Sequence, residues 1–132
     1  MPRLVASVTL SSERLELGPQ LPVSIPGFDY TPPALIDTGA AMSLIDVDLA
    51  RRFYPPTSEA LVIGGVGQGG EHPTFDIDAQ IPDLIRYVPK PIASAPLIRS
   101  GIPFIFIIGR DVLLDYILTI DGPSRTISFH QH

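Results

Sequence analysis

The chain has 132 residues, 45% of them apolar and 17% charged, so it is long enough for one hydrophobic core and too apolar to be disordered. Nine Lys and Arg against 14 Asp and Glu give a formal charge of -5, which excludes a protein built to grip nucleic-acid phosphates. Cysteine is absent and only three His occur, which excludes thiol proteases, thiolate metal sites and disulfides, and supplies a Ser-His-Asp triad or a histidine metal site poorly.

Fifteen Pro and 11 Gly disfavour a helical bundle and favour short strands joined by turns. Residues 3–10 are rich in β-formers, and residues 13–17 alternate until Gly18-Pro19 stops them. Residues 21–25 and 34–36 read as short strands, the second delivering Asp37 at its end. Asp46 is a plausible N-cap for one or two helical turns that Pro55-Pro56 terminates. Residues 60–63 and 74–81 read as the arms of a hairpin with a glycine tip at 64–70. Five Pro between 82 and 103 predict irregular structure and edge strands there, with no central strand until Pro103 is passed.

Residues 104–108 form a continuous apolar run, as expected of a strand covered on both faces. Residues 109–115 predict a short helix, and 117–120 with 126–129 predict a hairpin. No apolar run approaches the ~20 residues of a membrane-spanning helix. No signal peptide is evident at the N-terminus, so a cytoplasmic setting with no membrane partner is expected.

The chemistry concentrates in Leu35-Ile36-Asp37-Thr38-Gly39-Ala40. An apolar strand pushes a carboxylate to its end, and Gly39 permits a tight turn. Alone, this triplet also suits an ordinary strand-ending turn. Two further segments follow it: Ile63-Gly64-Gly65-Val66-Gly67 at a hairpin tip, and Ile107-Ile108-Gly109-Arg110-Asp111 before a short helix. In that order and within this length, the three segments resemble the retroviral-type aspartic proteases, the retropepsins.

The resemblance spans about 35–129 and implies an all-β fold. It would be a single domain over 1–132, a retropepsin-like closed β-barrel with a glycine-tipped flap hairpin and one or two short helices. It implies an aspartic endopeptidase acting as a homodimer on peptide or protein substrates, with no metal or organic cofactor. Two carboxylates about 3 Å apart share one proton, because like charges resist joint ionisation. This chain carries one Asp-Thr-Gly, so a second copy must supply the second acid.

The implied roles are specific. Asp37 is the catalytic acid. Thr38 locks the two catalytic loops together, and the Gly39 carbonyl accepts from the substrate backbone. Ile63, Gly64, Gly65, Val66 and Gly67 form the flap, with Ala40 on the floor of the groove. Arg110 supports the catalytic loop, and residues 126–129 and 3–10 interleave at the dimer interface.

There is one departure. The family usually carries an acid two residues after the catalytic Gly, paired with the Arg of Gly-Arg, and here that position is Ala41. Asp46, Asp48 or Asp111 are the available substitutes. Ser43 reads as a structural hydroxyl, since no His is near it in the sequence. Residues 82–103 read as a surface loop, or as an insertion shaping the groove or the dimer contact. The departure at Ala41 keeps a second reading open, a catalytically weak peptide-binding or dimerisation module on the same fold.

Overall fold

The structure is a computed structural model that describes residues 1–11, 17–57, 60–62 and 71–132. In chain order its strands are β1 (Arg3–Thr9), β2 (Gln20–Pro22), β3 (Pro33–Ile36), β4 (Leu44–Asp46), β5 (Ala60–Val62), β6 (Glu71–Phe75), β7 (Gln80–Ile81), β8 (Arg86–Tyr87), β9 (Ile92–Ala95), β10 (Phe106–Ile108), β11 (Ile117–Asp121) and β12 (Thr126–Gln131). Helix α1 (Val47–Phe53) follows β4, a 3-10 turn (Pro82–Leu84) follows β7, and helix α2 (Arg110–Leu113) follows β10. Among the described residues the all-β expectation with one or two short helices holds, in α1 and α2. No helix among the described residues is long and apolar enough to cross a membrane.

The strands form three sheets. The largest runs β2-β3-β10-β4-β9-β6-β5, a second runs β1-β12-β11, and β7 pairs with β8. A backbone bridge between Ser24 and Gln80 ties the chain just after β2 to β7. The register of the large sheet explains the double burial of its centre. Leu35, Ile107, Leu44 and Ala93 lie opposite one another in a single row. They face a small apolar cluster with Ala95 and Leu97, against which Ala40, Met42 and Ile102 are partly buried. Ile36, Ile108, Ile45 and Phe106 face the main core. Alternation of side chains across the sheet produces this split, so residues 104–108 are apolar on both sides.

Asp46 caps α1: its side chain accepts from the Leu49 N–H at 3.1 Å, and Arg51 and Arg52 occupy the last turn. Cap and terminal charge both suit the helix dipole, and Pro55-Pro56 prevents continuation.

Two expectations need correction. First, β9 is a central strand inside 82–103, parallel to β4 and antiparallel to β6, with all four residues buried. Pro91 and Pro96 bracket it and lie outside the paired residues, so they delimit the strand without removing a ladder hydrogen bond. Second, 74–81 is not one strand: β6 ends at Phe75 and β7 starts at Gln80. Ile77 and Ala79 between them are fully buried. Within one chain β12 pairs with β1, from Arg3↔Gln131 to Thr9↔Thr126. The expected strand at 13–17 lies almost wholly outside the described residues.

Candidate active site

Asp37 is the first residue after β3. Its N–H donates to the Ile108 carbonyl at 3.0 Å, so the parallel ladder between β3 and β10 runs up to the acid. The chain then turns: the Ala40 N–H donates to the Asp37 carbonyl at 3.2 Å. The Gly39 N–H donates to Asp37 Oδ1 at 2.8 Å. This side-chain turn holds one carboxylate oxygen against the loop and leaves Oδ2 without a recorded partner among the described residues. A Cβ on Gly39 would sit 3.1 Å from Oδ1 and crowd that bond. Asp37 is half-buried, and Thr38, Gly39 and Ala41 are exposed.

Arg110 grips this turn from behind. Its N–H donates to the Ala40 carbonyl at 2.9 Å, and its guanidinium donates to the Thr38 carbonyl at 2.9 Å. None of the three suggested acids takes the place vacated at Ala41. Asp46 caps α1 and accepts from the Ile98 N–H at 3.1 Å, Asp48 pairs with Arg99 at 2.6 Å, and Asp111 accepts from Ser43. A backbone carbonyl therefore holds the arginine where an acid was expected.

Gly109 is the closest approach in the site. A Cβ there would lie 2.5 Å from both the C and O atoms of Met42 and 2.9 Å from the Ser43 N. Only glycine lets the end of β10 pass that close to the loop. Ser43, 1% exposed, fastens the same crossing. Its hydroxyl accepts from the Gly109 N–H at 3.1 Å and donates to Asp111 Oδ1 at 2.7 Å. The Ser43 N–H donates to the same oxygen at 3.0 Å. Ser43 is thus engaged structurally. The sequence offers Asp111 only as a partner for Arg110. A hydroxyl at 43 and an acid at 111 are 68 positions apart, and only the β3-β10-β4 crossing brings them together. Arg86 braces α2 further back, pairing with Asp115 and donating to the Asp111 carbonyl at 3.4 Å.

The proposed groove residues divide. Ala40 packs on the small apolar cluster. β5 and β6 pair antiparallel, Ala60↔Pro73 to Val62↔Glu71, which is the base of the expected hairpin. Its tip residues Ile63, Gly64, Gly65, Val66 and Gly67 lie outside the described residues. A separate hollow of about 280 Å³ between α1 and the 96–105 loop is lined by Leu49, Arg52, Ile98 and Ile105 among others, and Asp37 does not line it.

A strand-borne acid at a glycine turn, buttressed by an apolar-apolar-Gly strand in a mostly β chain, defines the retropepsin-like class. The family model described as retroviral aspartyl protease matches residues 15–120, and the chain belongs to that family. Among solved structures it is similar to the EIAV protease complexed with the inhibitor HBY-793. Identity there is 27% over 80% of this chain and 93% of that one, with a TM-score of 0.53. It is also similar in fold to a retropepsin-like aspartic protease from Rickettsia conorii. That likeness has 10% identity and a TM-score of 0.60 over 99% of this chain and 94% of that one. No curated protein matches in sequence.

Proposed function

We propose that the chain is an aspartic endopeptidase active as a homodimer, with one Asp37 from each copy meeting on a two-fold axis. The observation that carries this reading is the Asp37 turn. A half-buried carboxylate at a strand end keeps one oxygen bonded to Gly39, and its loop is clamped by Arg110, Gly109 and Ser43. Hydrolysis of an amide by acids alone needs one carboxylate as base and one carboxylic acid as proton donor. One copy supplies one such group.

In this mechanism the ionised Asp37 takes a proton from water as the water attacks the scissile carbonyl. The protonated Asp37 of the partner subunit polarises that carbonyl and then protonates the departing nitrogen. Thr38 holds the paired loops, the Gly39 carbonyl receives a substrate N–H, and Ala40 lines the floor. The 63–67 segment covers the peptide and excludes water. The substrate binds extended, as a strand does.

The test is cleavage of a mixed peptide library from pH 4 to 7 by wild type and Asp37→Asn at matched dimer content. The expected result is cleavage favouring acid pH, lost by at least roughly 100- to 10,000-fold in the variant, with the fold retained by circular dichroism. A dimeric wild type that binds peptides without cutting them replaces this reading with the peptide-binding module. The exchange of an acid for Ala41 is the observation that favours that second reading.

A further inference from the structure

The hollow beside α1 is held open by one residue. Asp46 pins both ends of the loop that closes it: its N–H donates to the Ile105 carbonyl at 2.8 Å, and its carboxylate accepts from the Ile98 N–H at 3.1 Å. The same carboxylate caps α1 through the Leu49 N–H. Leu49, Ile98 and Ile105 are thereby set around one space of about 280 Å³, with Ile98 50% exposed. This space is separate from the Asp37 side of the sheet. Ile102 of the same loop packs on the small cluster with Ala40 and Met42, whereas Ile105 packs on the main core. No residue of the small cluster lines the hollow.

Four charged residues also line the hollow, and three of them are engaged. Asp46 is 3% exposed and holds the two N–H groups just named. Asp48 is gripped by Arg99, whose Nε reaches Oδ2 at 2.6 Å and whose Nη2 reaches Oδ1 at 3.2 Å. Arg52 follows Asp48 by four positions on α1, a spacing at which acid and base commonly meet on a helix. Asp48 turns to Arg99 instead. Arg52 is exposed and has no hydrogen-bond or ion-pair partner among the described residues. An apolar floor with one unpaired guanidinium beside it is the result.

We propose that this hollow binds the C-terminal end of a peptide whose last residue is aliphatic. The Arg52 guanidinium takes the terminal carboxylate, which suits its planar, two-pronged donor geometry. The last side chain rests on Leu49, Ile98 and Ile105. Charge selects a carboxylate over an amide or a basic end. Size selects a peptide end over a long acyl chain: 280 Å³ falls below the roughly 300–1,000 Å³ of a site that encloses a drug-sized ligand. Hydrolysis of an amide creates this end group, so the site takes the product class of the reaction proposed above. Binding itself requires neither catalysis nor a second copy.

The probe is acetyl-Ala-Ala-Leu with a free carboxylate, compared with the same peptide as its C-terminal amide. Backbone NMR titrations are run on wild type and on Asp37→Asn, so that cleavage plays no part. The acid is expected to shift the Leu49, Ile98 and Ile105 signals and to bind roughly 10-fold more tightly than the amide. Arg52→Gln is expected to abolish that preference, with the fold intact because Arg52 is exposed. Ile98→Ser is expected to weaken both peptides by roughly 5-fold or more. Added salt is expected to weaken the acid alone.

No binding at millimolar peptide overturns the proposal, as does equal binding of acid and amide, or a preference that survives Arg52→Gln. Shifts confined to Ala40 and Met42 assign the peptide to the groove beside Asp37 and overturn it too. Octanoate that binds the hollow more tightly than the peptide acid replaces the peptide end with an acyl chain. These outcomes leave the protease reading standing. An acid preference lost in Arg52→Gln, in a protein without Asp37-dependent cleavage, upholds the site and overturns the protease reading alone.

Discussion

Two loops lie beside β4 and its helix, and they are tied to their neighbours differently. The Asp37 loop, 37–43, is pressed directly against the backbone of β10 and α2, with Asp37 on Ile108, Arg110 on Ala40 and Gly109 against Met42, and Ser43, Asp111 and the Arg110 guanidinium reinforce that contact. The 96–105 loop turns on its own backbone bonds and is tied to β4 and α1 by the Asp46 N–H on the Ile105 carbonyl and by two carboxylates, Asp46 receiving the Ile98 N–H and Asp48 receiving Arg99. A backbone clamp keeps its geometry through most surface substitutions but fails when space is removed. A carboxylate clamp depends on one side chain at a time, and its strength follows burial.

The contrast breaks most severely at Gly109. Gly109→Ala puts a methyl group against main-chain atoms that no rotamer change can move, so a loss of about 3 kcal/mol or more is expected. Thermal melts would register it, together with loss of any peptide cleavage, because β10 and the Asp37 turn must separate.

Asp111→Ala is expected to cost about 2–3 kcal/mol, since it strands the buried Ser43 N–H and hydroxyl. Asp111→Asn keeps an acceptor oxygen and is expected to lose less in urea unfolding. Equal losses in the two variants would show that the charge, and not the acceptor geometry, holds the crossing.

The other loop gives the smallest effects and sharpens the contrast within itself. Asp46, 3% exposed, serves both α1 and Ile98, so Asp46→Ala is expected to cost about 2 kcal/mol. Asp48 and Arg99 are exposed, and Asp48→Ala is expected to cost about 0.5 kcal/mol or less. Matched urea titrations of both variants check the ratio, and similar losses would refute the dependence on burial.

The sequence made the Asp37 turn legible because every element of it is local. The β-forming triplet, the acid and the glycine are contiguous, and so is the Ile107-Ile108-Gly109 strand behind it. α1 was legible for the same reason, with cap and stop a few residues apart. β9 was not, since prolines this dense suggest interrupted pairing, and nothing local to them says that Pro91 and Pro96 sit just beyond the strand. The partner of Arg110 was not legible either, because a carbonyl acceptor leaves no trace in residue type. Ser43 read correctly as structural, but its link to Asp111 exists only once β3, β10 and β4 are assembled.

The pairing of β1 with β12 has a consequence in time. Arg3 and Gln131 bond across 128 positions, so β1 cannot find its neighbour until the residues between them have been made. At ordinary rates of translation the interval is on the order of ten seconds. Contacts this distant along the chain also form late in folding. During that interval β1 has no strand beside it, and β11 has not yet acquired the flank that positions it.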